Sequence, residues 1–400
     1  MHKVKFIDEI EISKKKVILR VDFNVTLNPD STIADDFRIK QSLPTIKYLL
    51  TRKNKLILIS HLDRPKGPDP KYSLKPVVKD LQNYLLEYKV TLTDNLDPHN
   101  PVFKNQKENE IVFLENIRFW KEEKKNNPVF AKKLAKLGEV FVNDAFGVCH
   151  RENASVVGIP KYLPSFGGLL LKKEIETIKK AIEKPKHPFV AIIGGAKIST
   201  KIALIDRLLE IADYLLIGGG LANTFLCAQG LNMGKSYCEV DKVEIARRIL
   251  FKAAKSKTAI ILPEDVVVGE PEIKENSGKV LKVEEIEKEE NGAILDIGPE
   301  TQAKFASIIA KARTIIWNGP LGYIENPSFR RGTDFIYYCI TENQEAVSIV
   351  GGGDTLAAIS KKEYLDKITH VSTGGGAMLE FIERGTLPGI EALKGSSLEL

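Results

Sequence analysis

The chain has 400 residues, 43% of them hydrophobic, and its 59 basic and 53 acidic side chains leave a net charge of +6. That length exceeds one compact core and suits two domains, and the hydrophobic content excludes a disordered chain. The mild positive charge suits anionic small molecules, and with 8% aromatic residues the interleaved aromatics of an RNA-binding surface are lacking. The amino terminus, "MHKVKFIDEIEISKKK", has no apolar leader core. The uncharged stretch Tyr214 to Gly234 is interrupted by Gly218, Gly219, Gly220, Asn223, Gln229 and Asn232, so no membrane span is expected. Cys149, Cys227, Cys238 and Cys339 show no C-x-x-C spacing and read as reduced thiols of a cytoplasmic protein.

Short β-branched runs recur along the chain, each followed by glycine or polar residues and then a helical period. Strands are expected at Val17–Val21, Leu56–Ser60, Ile111–Leu114 and Val140–Asn143. A second group follows at Phe189–Ile193, Tyr214–Ile217, Ala259–Leu262, Thr314–Trp317, Val347–Val350 and His370–Ser372. Amphipathic helices such as Ile202–Ala212 and Val243–Ala254 lie between them. The alternation predicts two doubly wound, Rossmann-like parallel-sheet α/β domains. The stretch Gly158 to Pro188 reads as a Pro/Gly loop and a helix over Leu169–Glu183, a linker with a ligand cleft expected between the domains it joins. The expected domains are 1–166, a linking helix in 167–184, 185–383, and a tail 384–400 returning to the first domain. In open parallel sheets, ligands bind beyond the carboxyl ends of the strands, so the residues after each strand are read as one surface per domain.

In the first half those strand ends are basic. "RVDFNV" supplies Asp22 and Asn24, "SHLDRP" supplies His61 and Arg64, "LENIRF" supplies Arg118, and "NDAFGVCHR" supplies His150 and Arg151; "ADDFRIK" adds Arg38. Arginines from several strand ends fit a small ligand with several negative charges. Asp22 and Asn24 either accept hydrogen bonds from substrate hydroxyls or orient an arginine. Cys149 and His150 are adjacent and point apart, so they are not read as a nucleophile pair.

In the second half the strand ends are glycine: "IIGGAK", "LIGGGLANT", "WNGPLG", "IVGGGDT" and "STGGGAM". Most open a predicted helix, where close backbone approach and a helix amino terminus favour phosphate. None completes G-x-G-x-x-G, and "GLNMGKS" has its glycines one residue too close for a P-loop. In "VAIIGGAKISTK" a helix starting near Lys197 puts Lys197 and Lys201 on one face, one turn apart, able to hold a phosphoryl group between them. Asp354 is either a helix cap or a contact to Mg2+.

Taken in order, "RVDFNV", "SHLDRP", "LENIRF", "VNDAFG" with His150 and Arg151, "GGAKISTK", "IGGGLANTF", "WNGPLGYIE", "GGGDT", "STGGGAMLE" and "LPGIEAL" resemble the phosphoglycerate kinase family over nearly the whole chain. The resemblance implies a cytoplasmic, monomeric glycolytic and gluconeogenic enzyme moving a phosphoryl group between 1,3-bisphosphoglycerate and ADP with Mg2+. It acts on small molecules, with no nucleic acid or membrane partner. Carried over by position, Asp22, Asn24, Arg38, His61, Arg64, Arg118 and Arg151 bind the glycerate substrate. Gly195, Lys201, Gly219, Asn318, Glu325, Gly352, Gly353, Asp354 and Thr355 bind nucleotide, with Asp354 acting through the metal. Gly374, Gly375 and Gly376 place a helix start near the transferred phosphate, and Arg38, Lys197 and Lys201 stabilise the group in transit. Closure of the two domains about the linker, excluding water, is expected.

Three positions depart from the family pattern: Thr26 replaces proline, Asp63 replaces the glycine of "SHLGRP", and Asn153 replaces a histidine. Asp63 either repels substrate or pairs with a base. The rival readings are a non-catalytic nucleotide or anion binder of the same fold, and a dehydrogenase, which the missing dinucleotide fingerprint disfavours.

Overall fold

The computed structural model describes residues 3–272, 278–288, 292–359 and 362–395. The chain divides into two compact units, Met1–Glu176 with Arg384–Leu400, and Thr177–Glu383, and the division falls inside the helix Leu169–Glu183.

In the first unit, β1 (Lys16–Arg20), β2 (Lys55–Ile59), β3 (Lys89–Thr93), β4 (Glu110–Leu114), β5 (Val140–Asn143) and β6 (Ser165–Gly167) form one parallel sheet in the order β3-β4-β2-β1-β5-β6. The runs KVILR, KLILI, EIVFL and VFVN bury every residue after the first, as strands covered on both faces must. Val17, Leu19, Leu56, Leu58, Phe113 and Val142 pack with Ile39, Ile46 and Leu49 of the helix Phe37–Leu50. At about 1.5–3 kcal/mol per buried aliphatic side chain, this layer holds the sheet. The carboxylate of Asp144, just after β5, accepts the N–H groups of Leu170 and Leu171 (2.9 and 3.1 Å) at the start of the helix Leu169–Glu183.

In the second unit come β7 (Phe189–Ile193), β8 (Tyr214–Ile217), β9 (Ala259–Ile261), β10 (Asp265–Gly269), β11 (Lys279–Lys282), β12 (Ala293–Ile297), β13 (Thr314–Asn318), β14 (Val347–Gly351) and β15 (His370–Ser372). Six make a parallel sheet in the order β15-β14-β13-β7-β8-β9. The other three make a separate antiparallel sheet, β11-β10-β12. Trp317 is fully buried beside Tyr337, and its indole N–H donates to the Gly319 carbonyl at 2.8 Å, tying the corner after β13 to the core.

The ten strands expected from sequence are present, with ends within one residue. The antiparallel sheet was not anticipated, nor were β3 and β6. β3 lies at a sheet edge and is mostly half-exposed, and β6 has three residues, so neither carries a buried apolar run. The antiparallel strands include the charged segment KVLK and interrupt the strand-helix rhythm that guided the reading.

Strand order reverses between β1 and β5 in the first sheet and between β7 and β13 in the second. Chains leaving adjacent strands there diverge to opposite faces and open a crevice. In the second unit the two exits also touch: Gly194 N–H donates to Asn318 O (2.9 Å) and Gly195 N–H to Pro320 O (2.8 Å). A β-carbon on Gly194 would run into the carbonyls of Pro320 and Gly319. Gly194→Ala is therefore expected to destabilise the protein by about 2 kcal/mol or more in urea unfolding. Gly67→Ala, with nothing within 4 Å of the added carbon, is expected to stay within about 0.5 kcal/mol.

Candidate active site

The first unit gathers Asp22, Asn24, His61, Arg64, Arg118 and Arg151 on segments following β1, β2, β4 and β5, with Arg38 from the first helix. Asn24 ties two segments together: its carbonyl accepts from Arg38, and its Oδ1 accepts the Asp63 N–H at 2.7 Å. The Asp22 carboxylate accepts the Asn24 N–H at 3.3 Å and stands 3.6 Å from His61 Nδ1. His61 is buried, and burial together with Arg118, Arg20, Arg151 and Arg38 drives its pKa well below the usual value. It is neutral at physiological pH, so its contact with Asp22 is not an ion pair. Arg20 Nη2 lies 3.4 Å from His61 Nδ1. A guanidinium can only donate, so a hydrogen bond at this contact requires Nδ1 to accept, the tautomer that carries its proton on Nε2.

Arg118 donates to the Asp63 carbonyl at 2.5 Å. Burial, with Arg151 and Arg20 nearby, lowers its pKa to about 10. Arg151 Nε donates to His150 Nε2 at 3.2 Å, and Arg151 too is lowered, by burial and by Arg64. Desolvated arginines in mutual repulsion are a surface short of negative charge, chemically suited to a polyanionic ligand.

Arg20, Ser155 and Glu123 form a buried layer beneath this surface that the sequence reading missed. Arg20 Nε donates to Ser155 Oγ at 2.9 Å, and Ser155 Oγ donates to Glu123 Oε1 at 2.6 Å. The available signal was an arginine directly after the apolar run Val17–Leu19 in the strand KVILR. Cys149 is buried with its thiol pushed up to about 12, consistent with no nucleophilic role.

The departures from the family pattern acquire physical content. Asp63 has φ of +52°, the left-handed region that glycine enters without cost. Its side chain is exposed, and the contact to a base comes from its main-chain carbonyl. Asn153 is buried with its amide donating to the Glu123 carbonyl at 3.3 Å. Thr26 accepts the Ala34 N–H at 2.9 Å at the mouth of a small loop.

In the second unit a cavity of about 480 Å³ is lined by Gly195, Gly219, Tyr237, Pro320, Leu321 and Glu325 among others. That size suits a small planar ligand, with glycine backbone on one wall. Gly195 and Gly219 have φ of +99° and +67°. Asp296, also in the wall, is buried, accepts N–H groups from Ile297 and Gly332 (2.9 and 2.7 Å), and is pushed up to about 7 by burial.

A second cluster joins the ends of β7, β13 and β14. Lys201 donates to Asn318 Oδ1, and Asn318 Nδ2 donates to Gly351 O at 2.6 Å. Thr355 Oγ1 donates to the same carbonyl at 3.0 Å and accepts the Gly319 N–H at 2.7 Å. Gly352, φ +121°, fits only without a side chain, since a β-carbon would lie 2.7 Å from both Asn318 Nδ2 and Thr355 Oγ1. Gly375, in the first turn of the helix Gly375–Arg384, packs against Gly352: a β-carbon there would lie 2.8 Å from Gly352 Cα. Gly374 and Gly376 flank it, and Gly353 opens the helix Gly353–Ala358. The side chain of Asp354 lies outside the described residues.

One expectation is corrected. The helix begins at Ile202, and Ile198–Thr200 form a tighter 3-10 turn. Lys197 is extended (φ −120°, ψ 125°), so Lys197 and Lys201 are not two rungs of one helix face. Ser199 gives its N–H and hydroxyl to Glu239, remote in the chain (3.1 and 2.6 Å), and Thr200 Oγ1 bonds back to Lys197 O at 3.0 Å. Such side-chain bonds compete with helical ones. Lys201 is drawn into the Asn318 cluster and Lys197 is left exposed.

Residues 7–385 match the family model described as phosphoglycerate kinase. The chain is 48% identical over 386 residues to a phosphoglycerate kinase of Dictyoglomus turgidum, covering 96% of each, and 46% identical over 398 residues to that of Koribacter versatilis, covering 97% and 98%. Its fold is similar to the solved phosphoglycerate kinase of Coxiella burnetii, with a TM-score of 0.84, 38% identity and 98% of each chain covered. The Pyrococcus horikoshii OT3 enzyme matches at 0.84 and 32% identity, covering 98% and 99%.

Two outcomes follow from the first-unit geometry. Asp63→Gly is expected to change stability by less than about 1 kcal/mol, because relief of the left-handed strain is offset by unfolded-state entropy. Asp63→Val, β-branched at positive φ, is expected to lose about 1–3 kcal/mol; urea midpoints compare them. His150, held down to about 4 chiefly by burial and Arg151, takes up fewer protons folded than unfolded below pH 6.5. Its contribution to stability is present above that pH and lost as pH falls through about 4. His150→Gln should flatten the fall of the unfolding midpoint across that window.

Proposed function

The chain belongs to the phosphoglycerate kinase family, and from that premise we propose which of its residues carry the reaction. The enzyme is a phosphotransferase of glycolysis, reversibly moving a phosphoryl group from 1,3-bisphosphoglycerate to ADP to give 3-phosphoglycerate and ATP. The observation that supports the residue assignment is the chemical contrast between the sites. One unit gathers desolvated arginines around a neutral histidine; the other gathers glycine corners around a lysine.

The glycerate substrate takes the first unit. Arg38, Arg64, Arg118 and Arg151 face its phosphate and carboxyl groups, neutral His61 offers its Nε2 proton, and Asp22 and Asn24 accept from its hydroxyl. The nucleotide takes the second. Its base lies in the cavity at Gly195 and Gly219, Glu325 faces the sugar, and its phosphates lie over Asn318, Gly352, Gly353 and Thr355, with the helix start at Gly374, Gly375 and Gly376 beside the transferred group.

Among the described residues there is no group of three or more His, Cys, Asp or Glu side chains able to hold a metal. Mg2+ needs only one or two carboxylates beside phosphate oxygens, and Asp354 is the residue that would hold it. Bound there, it would neutralise phosphate charge.

The attacking atom is an anionic oxygen in either direction, an ADP phosphate or the glycerate carboxylate, so no general base is required. Rate comes from in-line positioning and from cations around the transferring group: Lys201, Arg38 and Lys197. Lys201 bears the larger share, because Asn318 orients it whereas Lys197 is exposed. Ligands held on two units must meet and exclude water, so closure belongs to the proposal. A cytoplasmic, monomeric protein completes it. No helix among the described residues is long and apolar enough to cross a membrane.

With ATP, Mg2+ and 3-phosphoglycerate in a coupled assay, Lys201→Ala is expected to lower kcat about 10²–10³-fold, the scale of one preorganised transition-state donor. Lys197→Ala should lose less, and Arg64→Ala should raise KM for 3-phosphoglycerate while leaving that for ATP unchanged. An inactive wild type overturns the assignment, as does full activity of Lys201→Ala. Small-angle scattering that shows no compaction with both ligands bound counts against closure.

A further inference from the structure

Cys227 lies near the end of the helix Gly220–Ala228, and Cys238 lies on the segment that returns over that helix. Their sulfurs are 3.0 Å apart, both thiols are free, and both residues are half-buried. A disulfide needs about 2.05 Å, so the sulfurs must close by about 1 Å. The returning segment is pinned on either side of Cys238. Asn223 Nδ2 donates to Tyr237 O at 3.0 Å, and Glu239 N–H donates to Thr224 Oγ1 at 3.1 Å. Both Asn223 and Tyr237 line the cavity, and Glu239 holds Ser199 in the turn between Lys197 and Lys201.

We propose that Cys227 and Cys238 form an oxidation site, closed by a low-molecular-weight disulfide into an intrachain cross-link that displaces the Tyr237 wall of the cavity and weakens nucleotide binding. The Cys238 thiolate attacks the oxidant RSSR, forming a mixed disulfide and releasing one thiolate, RS−. Cys227 then gives its proton to solvent and attacks Cys238 Sγ, forming the Cys227–Cys238 bond and expelling the second RS−. Two protein thiols are oxidised and one RSSR is reduced to two thiols. Cys238 acts first because burial and the neighbouring thiol push Cys227 up to about 12, leaving it little thiolate. Drawing Cys238 toward the helix moves Tyr237 and Glu239, its neighbours in the chain, and so reaches both the cavity and the turn carrying the lysines. The effect on affinity rests on the assignment of the cavity to nucleotide; the cross-link does not.

Oxidised glutathione is the probe, with the full chain. Trypsin cuts at Arg207, Lys235 and Lys242, so the cross-link joins peptides 208–235 and 236–242 and is read by mass spectrometry before and after reduction. The expected result is that linked pair, together with a KM for ATP raised about fivefold, the scale of one weakened polar contact. KM for 3-phosphoglycerate should stay unchanged and dithiothreitol should restore the untreated values. Cys227→Ser should abolish both effects, and Cys339→Ser neither. Absence of the linked peptides overturns the site. A fully formed link with KM unchanged, or a KM rise that persists in Cys227→Ser, overturns its coupling to the cavity. Activity of untreated protein tests the nucleotide assignment separately.

Discussion

Between β7 and β13, two main chains leave adjacent parallel strands and meet again one residue later, carbonyl to N–H, through Gly194–Asn318 and Gly195–Pro320. That approach is closer than any side chain at Gly194 permits. The contact carries outward: Gly219 N–H reaches Leu321 O at 3.0 Å and Leu221 N–H reaches Gly195 O at 3.0 Å. Three strand exits are therefore locked as one surface. The cavity and the cluster of Lys201, Asn318 and Thr355 are both built on it. Pro320 and Leu321 become cavity wall, and Asn318, fixed by its bond to Gly351, presents its carbonyl oxygen to Lys201.

The first unit meets the same topological opportunity with the opposite chemistry. The exits of β1 and β5 share one backbone bond, Asp144 N–H to Arg20 O at 2.8 Å, and the segments beyond carry charged side chains instead of glycine. The four arginines outnumber the one carboxylate, Asp22, so positive charge is in excess there, and the buried Arg20, Ser155 and Glu123 layer fixes the geometry beneath it. Burial, with Arg118 and Arg20 nearby, keeps His61 uncharged, converting a residue that composition would count as a possible cation into a neutral donor. Preorganised glycine backbone and preorganised, desolvated cations are two ways of preparing a surface for an anionic group.

The parallel strands were legible because each is a short apolar run ending in glycine or charge. β3, β6 and the antiparallel sheet were not: β3 is a mostly half-exposed edge strand, β6 is buried yet only three residues long, and β11 and β12 are largely unburied. Most candidate site residues were legible from position alone, as residues just beyond strand ends. The path from Lys197 to Lys201 was not. Its helical period is real in the sequence, yet Glu239, far along the chain, takes the Ser199 donors and turns the segment before the helix can begin.

The sequence by itself determined the two α/β units, the basic and glycine-rich character of their strand ends, and the family, since these reside in local apolar patterning and contiguous motifs. Only the tertiary structure decided that His61 is neutral, that Asp63 serves through its carbonyl at positive φ, and that Lys201 rather than Lys197 is oriented. It alone brought Cys227 and Cys238 together. Each of these depends on burial or on a partner remote in the chain, and neither desolvation nor long-range proximity is written in local sequence.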